Sequence, residues 1–184
     1  DPACYWKQIL PSRRETLELP EMTLSSSERA FRFRGWFIND EDLLTEWIDS
    51  GKRRDIDYPF YEQVVDVSII DRVCETLLRM EGNMIIPASF MDLLNPDEAG
   101  LIERAVARGV YVTQHHIEPL GVSVMGFERY WKEKNVKQTY SYSQNPDALC
   151  EVWWASARKW REIAGDQVIW QVGLRGKGDR AVWY

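Results

Sequence analysis

The residues best suited to chemistry in this chain are its only two histidines. His115 and His116 stand side by side in Gln114-His115-His116-Ile117-Glu118-Pro119. They directly follow a β-rich run, Val110-Tyr111-Val112-Thr113, and Glu118 lies two and three residues beyond them. Imidazole titrates near neutral pH, and a nearby carboxylate can orient it or shift its pKa. An imidazole pair and a carboxylate leaving a strand end together are pieces from which an active site can be built. The same groups can also satisfy one another in a strand-to-helix turn, so the doublet alone leaves both readings open.

The elements that would position these residues alternate along the chain. Residues 1–30 read as an irregular lead-in, with Pro2, Pro11, Pro20 and Ser25-Ser26-Ser27. Phe31 to Ile38 reads as a strand that alternates and then turns apolar. Pro59 opens an apolar-periodic helix carrying Phe60, Val64, Val67, Ile70, Cys74 and Leu77, closed by Gly82. A short buried strand follows over Asn83–Ala88. Asn95-Pro96-Asp97-Glu98 is a helix start, with a cap, a proline in the first turn and two acids, and that helix ends at Gly109. The third strand spans Val110–Gln114, and a helix covers Val124–Lys134. Asn145-Pro146-Asp147 repeats the start device for a helix that runs to Gly165, before a last strand over Val168–Leu174.

The order is β-α-β-α-β-α-β with continuous apolar strands, which predicts a parallel sheet covered by helices. Each strand runs into polar residues at its C-terminal end. These are Asn39-Asp40-Glu41-Asp42, then Ser89 and Asp92, then His115, His116 and Glu118, then Arg175, Lys177 and Asp179. Active sites of (β/α)8 barrels and of open α/β sheets form at that edge.

Composition narrows the function classes. The 184 residues suffice for one domain with a sizeable core, at 45% hydrophobic and 28% charged. The formal net charge is −6, and the one basic run, Lys52-Arg53-Arg54, is flanked by Asp49, Asp55 and Asp57. Nucleic-acid binding is not expected. No apolar stretch approaches the roughly 18 residues that span a membrane. The start at Asp1, without an initiator Met or a signal peptide, makes a processed product or a piece of a longer protein the expectation. Cys4, Cys74 and Cys150 are far apart and have no zinc spacing. Nine Trp are unusual for this length. About two-thirds are expected in the core and a minority in a cleft, where flat aromatic faces can hold sugar rings.

Four strings together carry a resemblance. They are Arg34-Gly35-Trp36-Phe37-Ile38-Asn39-Asp40-Glu41, Ile86-Pro87-Ala88-Ser89-Phe90, His115-His116-Ile117-Glu118-Pro119 and Gly173-Leu174-Arg175-Gly176-Lys177-Gly178-Asp179. Over roughly residues 31–180 the chain resembles glycoside hydrolase family 115, the xylan α-glucuronidases. That family carries R-G-I-F-I-N-D-E, W-P-A-M-W, H-H-E-P and G-M-R-G-D-G-D-E in the same order. The chain departs from these at Ile117, which is inserted, at Lys177 and Arg180, which replace acids, and at Phe90, which replaces a Trp.

The resemblance implies a (β/α)8 TIM-type barrel that removes 4-O-methyl-glucuronic acid side chains from xylan with inversion. About four β-α units over residues 31–184 would then be the N-terminal half of the barrel, and the rest would lie further along the same longer chain. Inverting hydrolysis needs two carboxyl groups about 6.5–9.5 Å apart. Asp40 and Asp179 are candidates for a site that supplies or positions one of them, with Glu41 and Glu118 in reserve. Asp40 can alternatively cap a helix, and Asp179 can be a turn residue. Arg175 and Lys177 can meet a substrate carboxylate, although Arg175 can equally bridge to a neighbouring acid. Asn39, His115, His116 and Trp36 are candidates for sugar contact. No metal or cofactor is expected.

Two rival classes remain beside the hydrolase. One is a non-catalytic carbohydrate-binding relative with a degenerate site, in keeping with Lys177 and Arg180. The other is a metal-dependent hydrolase built on His115, His116 and Glu118, which would require the chain to turn there because adjacent strand residues point to opposite faces. The expected partner is a polysaccharide or oligosaccharide substrate, with a homodimer left open. The family likeness points to a secreted or periplasmic place.

Overall fold

A parallel sheet in which every strand lies beside its predecessor in the chain organises the molecule. The computed structural model describes residues 15, 16, 18, 20–23, 25, 27–39, 41–173, 176, 177 and 180. Asp40, Arg175 and Asp179 therefore lie outside the described residues. Strand β1 (Gly35–Phe37) is followed by helix α1 (Asp42–Trp47) and a hairpin of β2 (Asp49–Arg53) and β3 (Gln63–Val65). Then come α2 (Val67–Arg79), β4 (Met84–Ile86), α3 (Pro96–Ala107) and β5 (Tyr111–Thr113). Helices α4 (Val124–Glu133) and α5 (Pro146–Ala164) precede β6 (Val168–Ile169). The described residues before Gly35 form neither helix nor strand.

The main sheet has the order β1-β4-β5-β6, and all its pairs are parallel. Crossovers of this kind are right-handed, so consecutive strand order puts all of them on one face. Trp36, Ile85, Val112 and Val168 are register partners across the sheet. They face the main core, where Ile70 and Leu77 of α2, Leu101 and Ile102 of α3 and Trp160 of α5 are buried. Each such side chain contributes about 1.5–3 kcal/mol by leaving water. Phe37, Ile86 and Thr113 alternate to the other face and keep partial exposure. Gly35 allows β1 to approach closely, because a Cβ there would lie 2.4 Å from the Met84 carbonyl oxygen.

The helix starts have local causes. Asp66 accepts from the Ser68 N–H, Asn95 from the Asp97 N–H and Ser123 from the Gly126 N–H, at 2.9, 3.1 and 3.0 Å. Asn145 precedes Pro146 without capping through its side chain, and donates instead to the Thr139 carbonyl. Three sequence expectations are corrected. The helix opened at Pro59 begins at Val67, because Gln63–Val65 pairs as a strand with Asp49–Arg53. Phe60, placed on that helix, is 60% exposed. The first strand is confined to Gly35–Phe37, and the last ends at Ile169. The hairpin and α1 occupy the stretch between the first strand and that helix, to which the sequence reading assigned no element. Among the described residues, no helix is long and apolar enough to cross a membrane.

Candidate functional site

The C-terminal ends of β1, β4 and β5 meet through one chain of hydrogen bonds. The Ile38 N–H, just past β1, donates to the Ile86 carbonyl at 2.8 Å. Ser89, three residues past β4, then links its neighbours on both sides. Its hydroxyl donates to Asn39 Oδ1 at 3.1 Å. Its carbonyl lies 2.7 Å from His115 Nδ1. A carbonyl can only accept, so Nδ1 carries the proton, and Nε2 is the basic nitrogen of the neutral ring. His115 is buried and packs on Phe37 with ring centroids 4.6 Å apart. Phe37 remains 40% exposed on the open face of the sheet.

The chain does turn at the histidine doublet. The Glu118 N–H donates to the His115 carbonyl at 2.9 Å. This brings the exposed His116 ring edge-on to His115, with centroids 3.7 Å apart. Gln171, just past β6, closes the arc. Its N–H donates to Gln114 Oε1 at 2.8 Å, and its Nε2 donates to the His116 carbonyl at 2.9 Å. Asn39, Ser89, His115, His116 and Gln171 therefore share one edge.

Both reserve carboxylates turn inward. Glu41 is fully buried, with Oε2 accepting the Ser89 N–H at 3.0 Å and Oε1 lying 3.7 Å from Arg54 Nη1. Glu118 is fully buried too. Its Oε2 accepts the His115 N–H at 3.1 Å, and its Oε1 accepts the Met91 N–H. Burial pushes the Glu118 carboxyl well above the usual carboxylate range, while the two amides pull it back. A carboxylate enclosed in this way braces loops and has no open face for substrate. Glu41 and Glu118 here hold main-chain amides of the loops at the strand-end edge. The metal reading loses its carboxylate by the same geometry. Among the described residues, no group of three His, Cys, Asp or Glu side chains could hold a metal ion.

Trp36 turns the other way. It lies on the helix-covered face and packs against the main core, on the opposite side of β1 from Phe37. Of the described tryptophans, Trp36, Trp131, Trp153, Trp160 and Trp170 belong to hydrophobic clusters, and Trp47 and Trp154 are exposed. Among the described residues, Phe37 and the two imidazoles are in ring contact at the site edge. Lys177 Nζ pairs with Glu128 Oε2 of α4 at 3.1 Å, so that anion offsets its charge.

Sequence reasoning missed Arg54, which looked like part of a solvated basic run. It is buried, with Nε 2.9 Å from Glu98 Oε2 and Nη1 donating to the Tyr61 and Gln63 carbonyls at 2.8 Å each. No strand was legible before it, so no local signal marked it for burial. Alternating exposure along β2 carries Arg54 inward while Arg53 stays out. Asp92 and Arg129 form a second buried pair at 2.6 Å, and burial raises the Asp92 carboxyl against the pull of Arg129.

Comparisons with known proteins bear on the fold and the family. No curated protein matches the chain. A solved family GH115 4-O-methyl-α-glucuronidase, with specificity for decorated arabinogalactans, is similar at 26% identity and a TM-score of 0.65. The similarity covers 96% of this chain and 22% of that one, so the chain spans about a fifth of the length of its structural neighbour. The profile of glycosyl hydrolase family 115 matches residues 26–183. With consecutive parallel strands, a polar C-terminal edge and a match over most of its length, the chain belongs to glycosyl hydrolase family 115.

Proposed function

We propose that this chain is half of the catalytic barrel of an inverting α-glucuronidase that removes (4-O-methyl)glucuronic acid side chains from xylan. The observation that carries the reading is the Asn39–Ser89–His115 chain of hydrogen bonds, which joins three consecutive parallel strand ends into one polar edge. Two features support a continuation of the barrel. The sheet face bearing Phe37 keeps apolar exposure, which further strands would cover. Helix α5 presents Cys150, Trp153, Trp154 and Ala157 around an apolar groove, a helical stripe suited to one more helix.

In this reading Asp40 and Asp179 supply or position the acid–base pair. One carboxylic acid gives its proton to the glycosidic oxygen as the bond to the anomeric carbon breaks. The other carboxylate takes a proton from the water that attacks the opposite face of the sugar. His115, its ring oriented by the Ser89 carbonyl, stands at the polar edge that meets the sugar. Asn39, His116 and Arg175 complete the polar contacts to the sugar, and the acid released carries a carboxylate for Arg175.

The test uses the full-length protein on glucuronoxylan, with a decorated arabinogalactan alongside. Asp40→Ala and Asp179→Ala each lower turnover at least about a hundredfold, the scale of acid–base groups, with circular dichroism unchanged. Proton NMR of the first product gives the inverted anomer. Unchanged turnover in both variants refutes their role. Binding of either polymer without release of a uronic acid identifies the non-catalytic relative instead. Release from the arabinogalactan alone moves the substrate away from xylan.

A further inference from the structure

We propose that Arg54 is a positioning residue for the strand-end site, its buried guanidinium clasping the loops that leave β1, β4 and β5 into one fixed arrangement. The inference rests on reading that edge as the catalytic edge. The β2–β3 hairpin delivers Arg54, and the Arg54 N–H closes on the Glu62 carbonyl at 2.7 Å. Its side chain then reaches Glu98 Oε2 at 2.9 Å, Glu41 Oε1 at 3.7 Å and the Phe90 carbonyl at 3.5 Å, with the guanidinium 5.0 Å above the Phe90 ring. Glu118 lies in the field of the same charge.

Each of these acids grips main-chain amides of a site loop. Glu41 holds the Ser89 N–H, Glu98 the Asp92 N–H at 3.1 Å, and Glu118 the Met91 and His115 N–H groups. One cation thus stands behind three carboxylates that hold four amides. Ionised acids gathered in a buried place repel, and the Arg54 cation among them offsets that repulsion. The consequence reaches the site through Ser89. Its N–H is held by Glu41, and its carbonyl orients the His115 ring. Glu41 is also the chain neighbour of Asp40. A lysine cannot do the same work, because it lacks the planar five-donor fork that serves Glu98 and three carbonyls together.

The test compares Arg54→Met, Arg54→Lys and a core control, Leu149→Ala, in the full-length protein. Leu149 is buried in a separate cluster with Phe127 and Val152. Hydrogen exchange by mass spectrometry reads the amides of 89–92 and 115 without reference to activity. Arg54→Met is expected to speed exchange there by at least about tenfold while α5 stays protected. Its kcat on glucuronoxylan falls at least about tenfold with KM within about threefold, since a small misplacement of catalytic groups costs rate more than binding. Arg54→Lys falls between Arg54→Met and the parent. Leu149→Ala keeps parental kcat and parental exchange at 89–92. Parental exchange at these amides in Arg54→Met overturns the proposal, as does an equal kcat loss in Leu149→Ala. If Arg54→Met does not fold, Arg54→Lys decides: faster exchange supports the clasp, and parental exchange overturns it. A parent protein inactive on every uronoside removes the functional reading alone, and the exchange experiment still decides the clasp.

Discussion

Replacing Glu118 by alanine separates a brace from a catalyst. In the folded protein its two oxygens accept the Met91 and His115 N–H groups, and the residue is fully buried. The substitution strands both donors away from water. Each unpaired buried N–H costs about 1–3 kcal/mol, so the pair costs about 2–6 kcal/mol. Removing one acid from beside Glu98 relieves some repulsion. A net loss of about 3 kcal/mol follows, which is roughly 6–12 °C in Tm for a domain of this size. The pH dependence has a definite sign. A carboxyl whose folded pKa is raised contributes stability that is present below the ordinary carboxylate range and is lost as pH rises through the folded value. The parent's advantage over Glu118→Ala is therefore largest near about pH 5 and smaller near about pH 8. Urea unfolding of both proteins at the two pH values measures it. A penalty below about 0.5 kcal/mol, of the size seen for ordinary surface substitutions, refutes the brace. A penalty that grows with pH shows that Arg54 favours the ionised form, and it refutes the assignment of burial as the dominant effect.

Two further outcomes are expected. Gly121 has φ +76°, and a Cβ there would lie 2.1 Å from Nε1 of the fully buried Trp160. Gly121→Ala therefore combines left-handed strain with overpacking and costs about 2–5 kcal/mol in urea unfolding, whereas a cost under about 0.5 kcal/mol shows that the loop can yield. Arg175→Ala weakens kcat/KM on a uronoside about 10- to 100-fold more than on the matching neutral glycoside, because a charge-assisted bidentate pair contributes about 1.5–3 kcal/mol. Equal losses on both substrates make Arg175 structural and remove the uronic-acid reading from it.

Local signals were legible without coordinates. Asn95-Pro96 marks the start of α3, and the apolar runs around Ile85 and Val112 are central strands. These depend on backbone chemistry within a few residues, which any reader of the chain can apply. The strand-end position of Asn39, Ser89 and the histidine doublet followed from the same order of elements, and the four strings carried the family. Tertiary structure alone decided which way the polar side chains face. Glu41 and Glu118 sit beside the candidate site in sequence, yet they turn inward because amides 48 and 27 residues away offer partners. Arg54 lies in a basic run that looks solvated, and it is buried because the β2–β3 hairpin folds it against Glu98, 44 residues on. Trp36 and Phe37 differ by one position, and the pairing of β1 with β4 sends the first to the core and the second to the open face. A carboxylate or an arginine has the same composition in either orientation. Whether it binds water, substrate or a neighbouring loop depends on partners supplied from distant parts of the chain, and no local pattern encodes their arrival.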